Sequence, residues 1–409
     1  ARPAEFDGKI LVPFAVESEL SGVKRMVGEN NYLWYKKTIA APALKEGERL
    51  LIHFGAVDWE TVLYVNGKEV GVHKGGYDPF SFDITEFLIE DNQEIQEIEV
   101  RVWDPTDLGT QPRGKQVQNP VGIWYTPVTG IWQTVWLEKV PDAHVKLLKL
   151  TPDVDNRLLH AQITTTSDSQ NLTIEISAWA EGKEIGRKIS LHGARSTEGN
   201  LSLDIPAPRL WTPGDPFLYD LKISLKTQDG NVLDEVESYF GMRKVSLGKD
   251  AKGYTRIMLN DEPLFQFGLL DQGWWPDGLY TPPSEEAMMY DVKMTRDMGF
   301  NMIRKHVKVE PARYYYQCDK MGMLVWQDMP SGMTTGKPQA ISPGAPKDAD
   351  FTPAEKELFK REWKAIIDAL RHLPDGYRES LNWGMISYEI PASISLLASW
   401  LFPHKPAHP

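Results

Sequence analysis

Between residues 30 and 140, apolar and polar positions alternate in short runs. Tyr32-Leu33-Trp34-Tyr35, Leu50-Leu51-Ile52-His53-Phe54, Thr61-Val62-Leu63-Tyr64-Val65 and Ile98-Glu99-Val100-Arg101-Val102-Trp103 are rich in β-branched and aromatic residues. Period-two runs bounded by turn residues mark strands. Asn66-Gly67 predicts a two-residue hairpin turn between Leu63-Tyr64-Val65 and Glu69-Val70-Gly71-Val72. Residues 1–140 therefore read as a β-sandwich of jelly-roll-like type. From 141 to 247 the alternation continues in Val145–Leu150, Leu172–Ser177, Leu201–Ile205 and Leu218–Ile223. About seven such strands in ~100 residues predict an immunoglobulin-like sandwich, here without a cysteine pair.

Near residue 250 the period changes. Leu264-Phe265-Gln266-Phe267-Gly268 reads as a strand. Ser284 caps a helix whose first turn holds Glu285 and Glu286, where the helix dipole favours acids, and Gly299 ends it. A strand over 300–304 follows, then a helix with Pro311 at its first position and Gly322 past its end, then Met323-Leu324-Val325-Trp326. Thr352, Pro353 and Glu355 form a capping box for a further helix striped by Phe359, Trp363, Ile366 and Leu370. Strand–helix alternation predicts a parallel sheet with helical crossovers. Functional residues in such sheets lie at the carboxyl ends of the strands. Arg304, His306 and Asp328 fall there, and the alternation of side chains turns Arg304 and His306 the same way.

Composition narrows the function. The net charge of −12 argues against nucleic acid, because phosphate binding needs an excess of Lys and Arg. The 14 Trp and 15 Tyr suit both sandwich cores and stacking on sugar rings, with most assigned to the cores. Cys318 is the single cysteine, so there is no internal disulfide, and it reads as a buried structural thiol. The apolar run from Ile390 to Phe402 falls short of the ~20 residues of a membrane span and contains Pro391. The N-terminal residues lack a basic-plus-apolar leader pattern. No metal-ligand cluster and no glycine-rich phosphate loop is visible, so no cofactor is expected.

Three stretches, in order, resemble glycoside hydrolase family 2, the family of β-galactosidases, β-glucuronidases and β-mannosidases. The first is Gly75-Gly76-Tyr77-Asp78-Pro79-Phe80-Ser81-Phe82-Asp83-Ile84-Thr85, followed by Gly130-Ile131-Trp132-Gln133. The second is Phe240-Gly241-Met242-Arg243, and the third runs from Asn301 to Trp326 through Asn301-x-x-Arg304-x-His306, with Lys305 and Val307 departing from the commonest form. The resemblance implies two sandwiches followed by a TIM barrel (248–372) and retaining hydrolysis of a β-glycoside, β-galactosidase-like, by two glutamates. It implies that Arg304 orients the nucleophilic carboxylate, that His306 lines the sugar subsite and that Asp328 forms a site wall. Each has a plainer reading: a structural salt bridge, a satisfied core histidine, a loop cap. Asp271 either binds sugar hydroxyls or caps a turn. Trp274 and Trp275 either stack on a sugar or pack the barrel mouth. Tyr77 and Asp78 read as turn-holding residues.

After His372 the family pattern stops. Tyr388-Glu389 stands nearest to the family's Asn-Glu acid/base pair, but it comes late and lacks the asparagine. Glu389 reads as an adventitious carboxylate, and neither catalytic glutamate is identified. The expectations are an incomplete barrel of about three strands, a tail (373–409) foreign to the family, and an inactive chain. The open barrel edge would favour association, with a second copy or otherwise, while the two sandwiches fold without it. The competing reading is a non-catalytic carbohydrate-binding or assembly module. A cytoplasmic and a periplasmic location are equally compatible with the sequence.

Overall fold

The alternating runs of the first 141 residues pair into two facing antiparallel sheets. The structure is a computed structural model describing residues 2–40, 43–89, 95–166, 172–191, 198–332 and 351–371. In chain order the strands are β1 (Leu33–Ala40), β2 (Glu48–Phe54), β3 (Val57–Asp58), β4 (Glu60–Val65), β5 (Lys68–Lys74), β6 (Phe80–Asp83), β7 (Ile95–Trp103), β8 (Gly130–Ile131) and β9 (Val135–Pro141). One sheet is ordered β1-β7-β4-β5 and the other β6-β2-β9. Leu50, Ile52 and Phe54 of β2 alternate inward and meet Leu63, Val65, Val100 and Val102. Asn66 and Gly67, at φ 50° and 77°, make the β4–β5 turn, a conformation these two residues adopt at low cost.

The second sandwich comprises β10 (Val145–Asp153), β11 (Leu158–Thr165), β12 (Leu172–Ala180), β13 (Lys183–Leu191), β14 (Glu198–Asp204), β15 (Tyr219–Thr227) and β16 (Val232–Phe240). Its sheets are β10-β11-β14 and β13-β12-β15-β16. Ile174, Ile176, Ile223 and Leu225 of one sheet close on Leu159, Ile163, Leu201 and Leu203 of the other. Three short strands, β17 (Val245–Lys249), β18 (Thr255–Leu259) and β19 (Glu262–Pro263), then form a small antiparallel sheet.

The period change produces β20 (Gly268–Asp271), α1 (Glu285–Asp297), β21 (Met302–Lys305), α2 (Ala312–Met321), β22 (Leu324–Gln327) and α3 (Pro353–Arg371). Strands β20, β21 and β22 are parallel and in register, with Gly268 beside Met302 and Met302 beside Leu324. Ser284 Oγ accepts from Ala287 N at the start of α1. The Thr352–Glu355 pair caps α3 reciprocally. Gly322, at φ 72°, ends α2. No described helix is long and apolar enough to cross a membrane.

Two local readings need correction. The strand expected over 264–268 begins only at Gly268. The Asn301 side chain takes the Phe267 N–H and donates to the Phe265 carbonyl, in place of strand partners for these groups, and only the Phe267 carbonyl, which accepts from Asn301 N, continues the ladder. Pro311 is the N-cap of α2 rather than its first helical residue, because its ψ of 152° is extended.

The first sandwich and the parallel sheet share one core. Tyr77, Tyr125, Val128 and Trp132 pack in the same cluster as Met288, Val292, Ile303, Tyr314, Cys318 and Ile366. The second sandwich docks through Trp211, whose indole N–H donates to the Asp319 carbonyl of α2 at 2.8 Å. Arg243 pairs with the Asp319 carboxylate at 2.8 Å, and Tyr239 donates to it at 3.0 Å.

Candidate functional site

Three neighbouring parallel strands place their carboxyl ends side by side, and backbone bonds extend the ladder one residue further. His306 N donates to Asp271 O at 2.9 Å, and Asp328 N donates to Lys305 O at 3.0 Å. Side chains of one strand alternate faces, so Arg304 and His306 share a side while Lys305 takes the other.

On the first side, Arg304 grips Asp328 with two bonds, Nε to Oδ1 at 3.0 Å and Nη2 to Oδ2 at 2.9 Å. His306 Nδ1 lies 2.9 Å from the same Oδ2. Burial pushes the Asp328 carboxyl up, but the bonds and charges of His306 and Arg304 outweigh it and hold the group below the usual carboxylate range. The result is a fixed anion, buried itself, carrying a half-exposed guanidinium and an imidazole. Such a cluster offers N–H donors to an incoming oxygen and one ionised acceptor.

The opposite side holds a buried charge network that the sequence reading missed. Lys305 Nζ bonds Asp271 Oδ2 at 3.0 Å and also pairs with Glu310. Lys308, fully buried, donates to Glu310 Oε1 at 2.7 Å and to the Gly273 carbonyl at 2.9 Å. Desolvation lowers the Lys308 ammonium to about 8 against the pull of Glu310. Burial likewise opposes ionised Asp271, but the Lys305 charge and bond, with Gly273 N–H, bring it below its ordinary value. A side chain on Gly273 would collide with this network: its Cβ would lie 2.4 Å from Lys305 Nζ. The signal was available, since strict alternation from Arg304 directs Lys305 toward the helices, where a charge needs a partner.

Of the six expected site residues, the fold brings Arg304, His306 and Asp328 into direct contact. Asp271 goes to the Lys305 network instead, and caps its own turn through Gly273 N at 2.7 Å. Tyr314 OH also donates to it at 3.2 Å. Trp274 stacks on Tyr125 of the first sandwich at 4.5 Å and packs against the shared core. Trp275 exchanges backbone bonds with Leu279. Tyr77 is buried and takes a bond from Gln116 at 3.2 Å. Cys318 is a buried free thiol. Glu389 lies outside the described residues. Among the described residues, no group of His, Cys, Asp and Glu has metal-binding geometry.

Residues 16–141 match the family model described as glycosyl hydrolases family 2, sugar binding domain, and residues 143–243 match glycosyl hydrolases family 2. A β-galactosidase of Thermoanaerobacter pseudethanolicus is 29% identical over 311 residues, which are 74% of this chain and 40% of that protein. A mannosylglycoprotein endo-β-mannosidase of Lilium longiflorum is 27% identical over 340 residues, 72% of this chain and 34% of that protein. The chain thus spans two fifths or less of these relatives. Among solved structures, Bacteroides uniformis β-glucuronidase 2, covalently bound to cyclophellitol-6-carboxylate aziridine, superposes with a TM-score of 0.68 at 22% identity. That match covers 90% of this chain and 43% of that one. At this identity it speaks for the fold alone.

Proposed function

The chain belongs to glycosyl hydrolase family 2, and from that premise we propose that it carries the sugar-recognition framework of a retaining, β-galactosidase-like enzyme. In this reading residues 1–140 and 141–247 are the two sandwiches. Residues 248–372 open a TIM barrel whose first strands are β20, β21 and β22, and the sequence of residues 373–409 is foreign to the family. The observation that carries it is the Arg304–Asp328–His306 cluster at the carboxyl ends of parallel strands, where barrel enzymes keep their chemistry.

Retaining hydrolysis needs two carboxyl groups about 5–5.5 Å apart, one as acid/base and one as nucleophile. Among the described residues, Asp328 is the carboxylate bonded to Arg304 and His306, which engage both of its oxygens. Held ionised, it positions the two donors rather than donating a proton. The 409-residue chain accordingly binds a β-galactoside without cleaving it.

The test is paired. Release of nitrophenol from nitrophenyl β-galactoside, β-glucuronide and β-mannoside is expected to stay at the buffer rate. Calorimetric titration with a non-cleavable thiogalactoside is expected to show saturable binding that Arg304→Ala or Asp328→Asn weakens about tenfold, the loss of a charge-assisted bond. Turnover that disappears in Glu389→Gln would overturn the inactive reading. Stronger binding of a thioglucuronide would move the preference to uronides, and no binding of any glycoside would remove the recognition role.

A further inference from the structure

Three side chains on the outer face of the β6-β2-β9 sheet stand in an order that the strand-end cluster leaves unused. Register places them. His53 of β2 lies opposite Ser81 of β6 and Trp136 of β9, and Leu51 lies opposite Glu138. Alternation then puts Ser81, His53 and Glu138 on one face. His53 Nδ1 is 2.6 Å from Ser81 Oγ, and His53 Nε2 is 2.9 Å from Glu138 Oε2. The imidazole is buried and stacks on the Trp136 ring at 4.8 Å, which fixes its plane. A hydroxyl within reach of an imidazole that a carboxylate orients is the arrangement that activates serine nucleophiles on unrelated folds.

The roles follow from the atoms. The Glu138 carboxylate holds the imidazole proton on Nε2, which leaves the Nδ1 lone pair facing the Ser81 hydroxyl. Ser81, unlike His53, is exposed. It opens into a recess of about 980 Å³ between this sheet, the start of β10 and α3, large enough for a small-molecule ligand.

The lining selects the substrate. Its acids are already matched, Asp83 and Asp142 by Arg49 and Asp368 by Lys364. Lys146, exposed at the start of β10, is the lining cation without an ion pair among the described residues. Leu51 and Leu147 supply apolar surface. A neutral ester fits this chemistry. Its acyl chain lies on the leucines, and its carbonyl oxygen gains negative charge in a recess that holds an ammonium group.

We propose that Ser81, His53 and Glu138 form a second site, one that hydrolyses neutral carboxylic esters. Ser81 Oγ attacks the carbonyl carbon while His53 Nδ1 takes the hydroxyl proton, and Lys146 stabilises the oxyanion. When the oxyanion collapses, the bond to the alcohol oxygen breaks, and the alcohol leaves with the proton from His53. Water then attacks the acyl-Ser81 carbonyl, giving a proton to His53. The acid departs as that proton returns to Ser81 Oγ. One ester and one water thus become one acid and one alcohol. Ser81 and His53 are the catalytic residues, and Glu138 is a positioning residue. The proposal goes beyond the glycoside reading and does not depend on it.

The full chain is tested with nitrophenyl acetate and nitrophenyl butyrate, and with a fluorophosphonate, which an activated serine captures with loss of fluoride. Nitrophenol release above the buffer rate is expected, with the phosphonate found by mass spectrometry on the peptide containing Ser81. Ser81→Ala is expected to abolish both. His53→Gln is expected to lower turnover about a hundredfold or more, and Lys146→Ala at least tenfold. Glu138→Gln is expected to lower kcat at least tenfold with KM and melting temperature unchanged, which a merely structural role would not produce. No label on Ser81, turnover that persists in Ser81→Ala, or a parent-like kcat in Glu138→Gln overturns the proposal. If a melt shows His53→Gln unfolded, Ser81→Ala decides, since it trims an exposed side chain. Failure here leaves the thiogalactoside result untouched, because that result is read at Arg304 and Asp328.

Discussion

Glu362 shows what a single residue contributes that no stripe of apolar positions announces. It sits on α3, buried, and accepts the Trp59 indole N–H at 2.8 Å across the junction with the first sandwich. Burial pushes its carboxyl up to about 8, opposed by the Trp59 bond and nearby Arg361 and reinforced by the charge of Asp78. A raised carboxyl pKa means the folded state keeps a proton that the unfolded chain releases near its ordinary value. Its contribution to stability is therefore greatest at low pH, falls from about pH 4.5 to about pH 8, and is level above. Glu362→Gln keeps the acceptor and removes the titration. The melting temperature of the variant is expected to gain on the parent as pH rises from 5 to 8, by about 5 °C in all, and then to run parallel. Thermal melts at three pH values check this, and a pH-independent difference would refute it. Asp328 works in the opposite sense. Its depressed pKa makes its contribution full at neutral pH, lost only as pH falls below the ordinary carboxylate value.

Helix α2 shows how an element is placed once its ends are written. Its carboxyl end is legible from Gly322, but its position comes from Asp319. That carboxylate is buried and takes Arg243 and Tyr239 from the second sandwich, while Trp211 bonds its carbonyl. The Phe240–Arg243 motif is therefore a docking device between sandwich and sheet. Removing one partner of a buried pair leaves the other charge uncompensated, at a cost of about 3–5 kcal/mol. Arg243→Ala is expected to lower the urea midpoint by a corresponding amount, and a change under about 1 kcal/mol would show the pair to be dispensable. Capping and periodicity located α1, α3 and the carboxyl end of α2 because those signals are local, while the start of α2 lies one residue later than expected. The 264–268 strand was misplaced because its exclusion depends on Asn301, more than thirty residues away.

The whole molecule is not three independent units. The second sandwich closes its own core from Val145 to Met242. The first closes a core between its sheets too, but its Tyr77, Tyr125 and Trp132 form a second cluster covered by residues of the parallel sheet and its helices. Each sandwich thus has a core of its own, and the first carries in addition an aromatic face that the parallel sheet covers. A fragment of residues 143–247 is expected to melt cooperatively without binding an apolar dye. A fragment of residues 2–141 is expected to bind the dye through its uncovered aromatic cluster. Equal dye binding by the two would contradict this division of the core.

What the residues alone determined was whatever repeats over a short window. Strand alternation, the Asn66-Gly67 turn, the helix caps and the common side of Arg304 and His306 all follow from backbone geometry within a few positions. The motifs added the family and its order of parts. Tertiary structure alone decided which charges meet. Asp271 stands on a neighbouring strand end yet belongs to Lys305, Trp274 is claimed by Tyr125, and Glu362 is buried against Trp59, a partner 303 positions away. Those pairings are set by how sheets and helices stack. A chain read one residue at a time carries no measure of that distance.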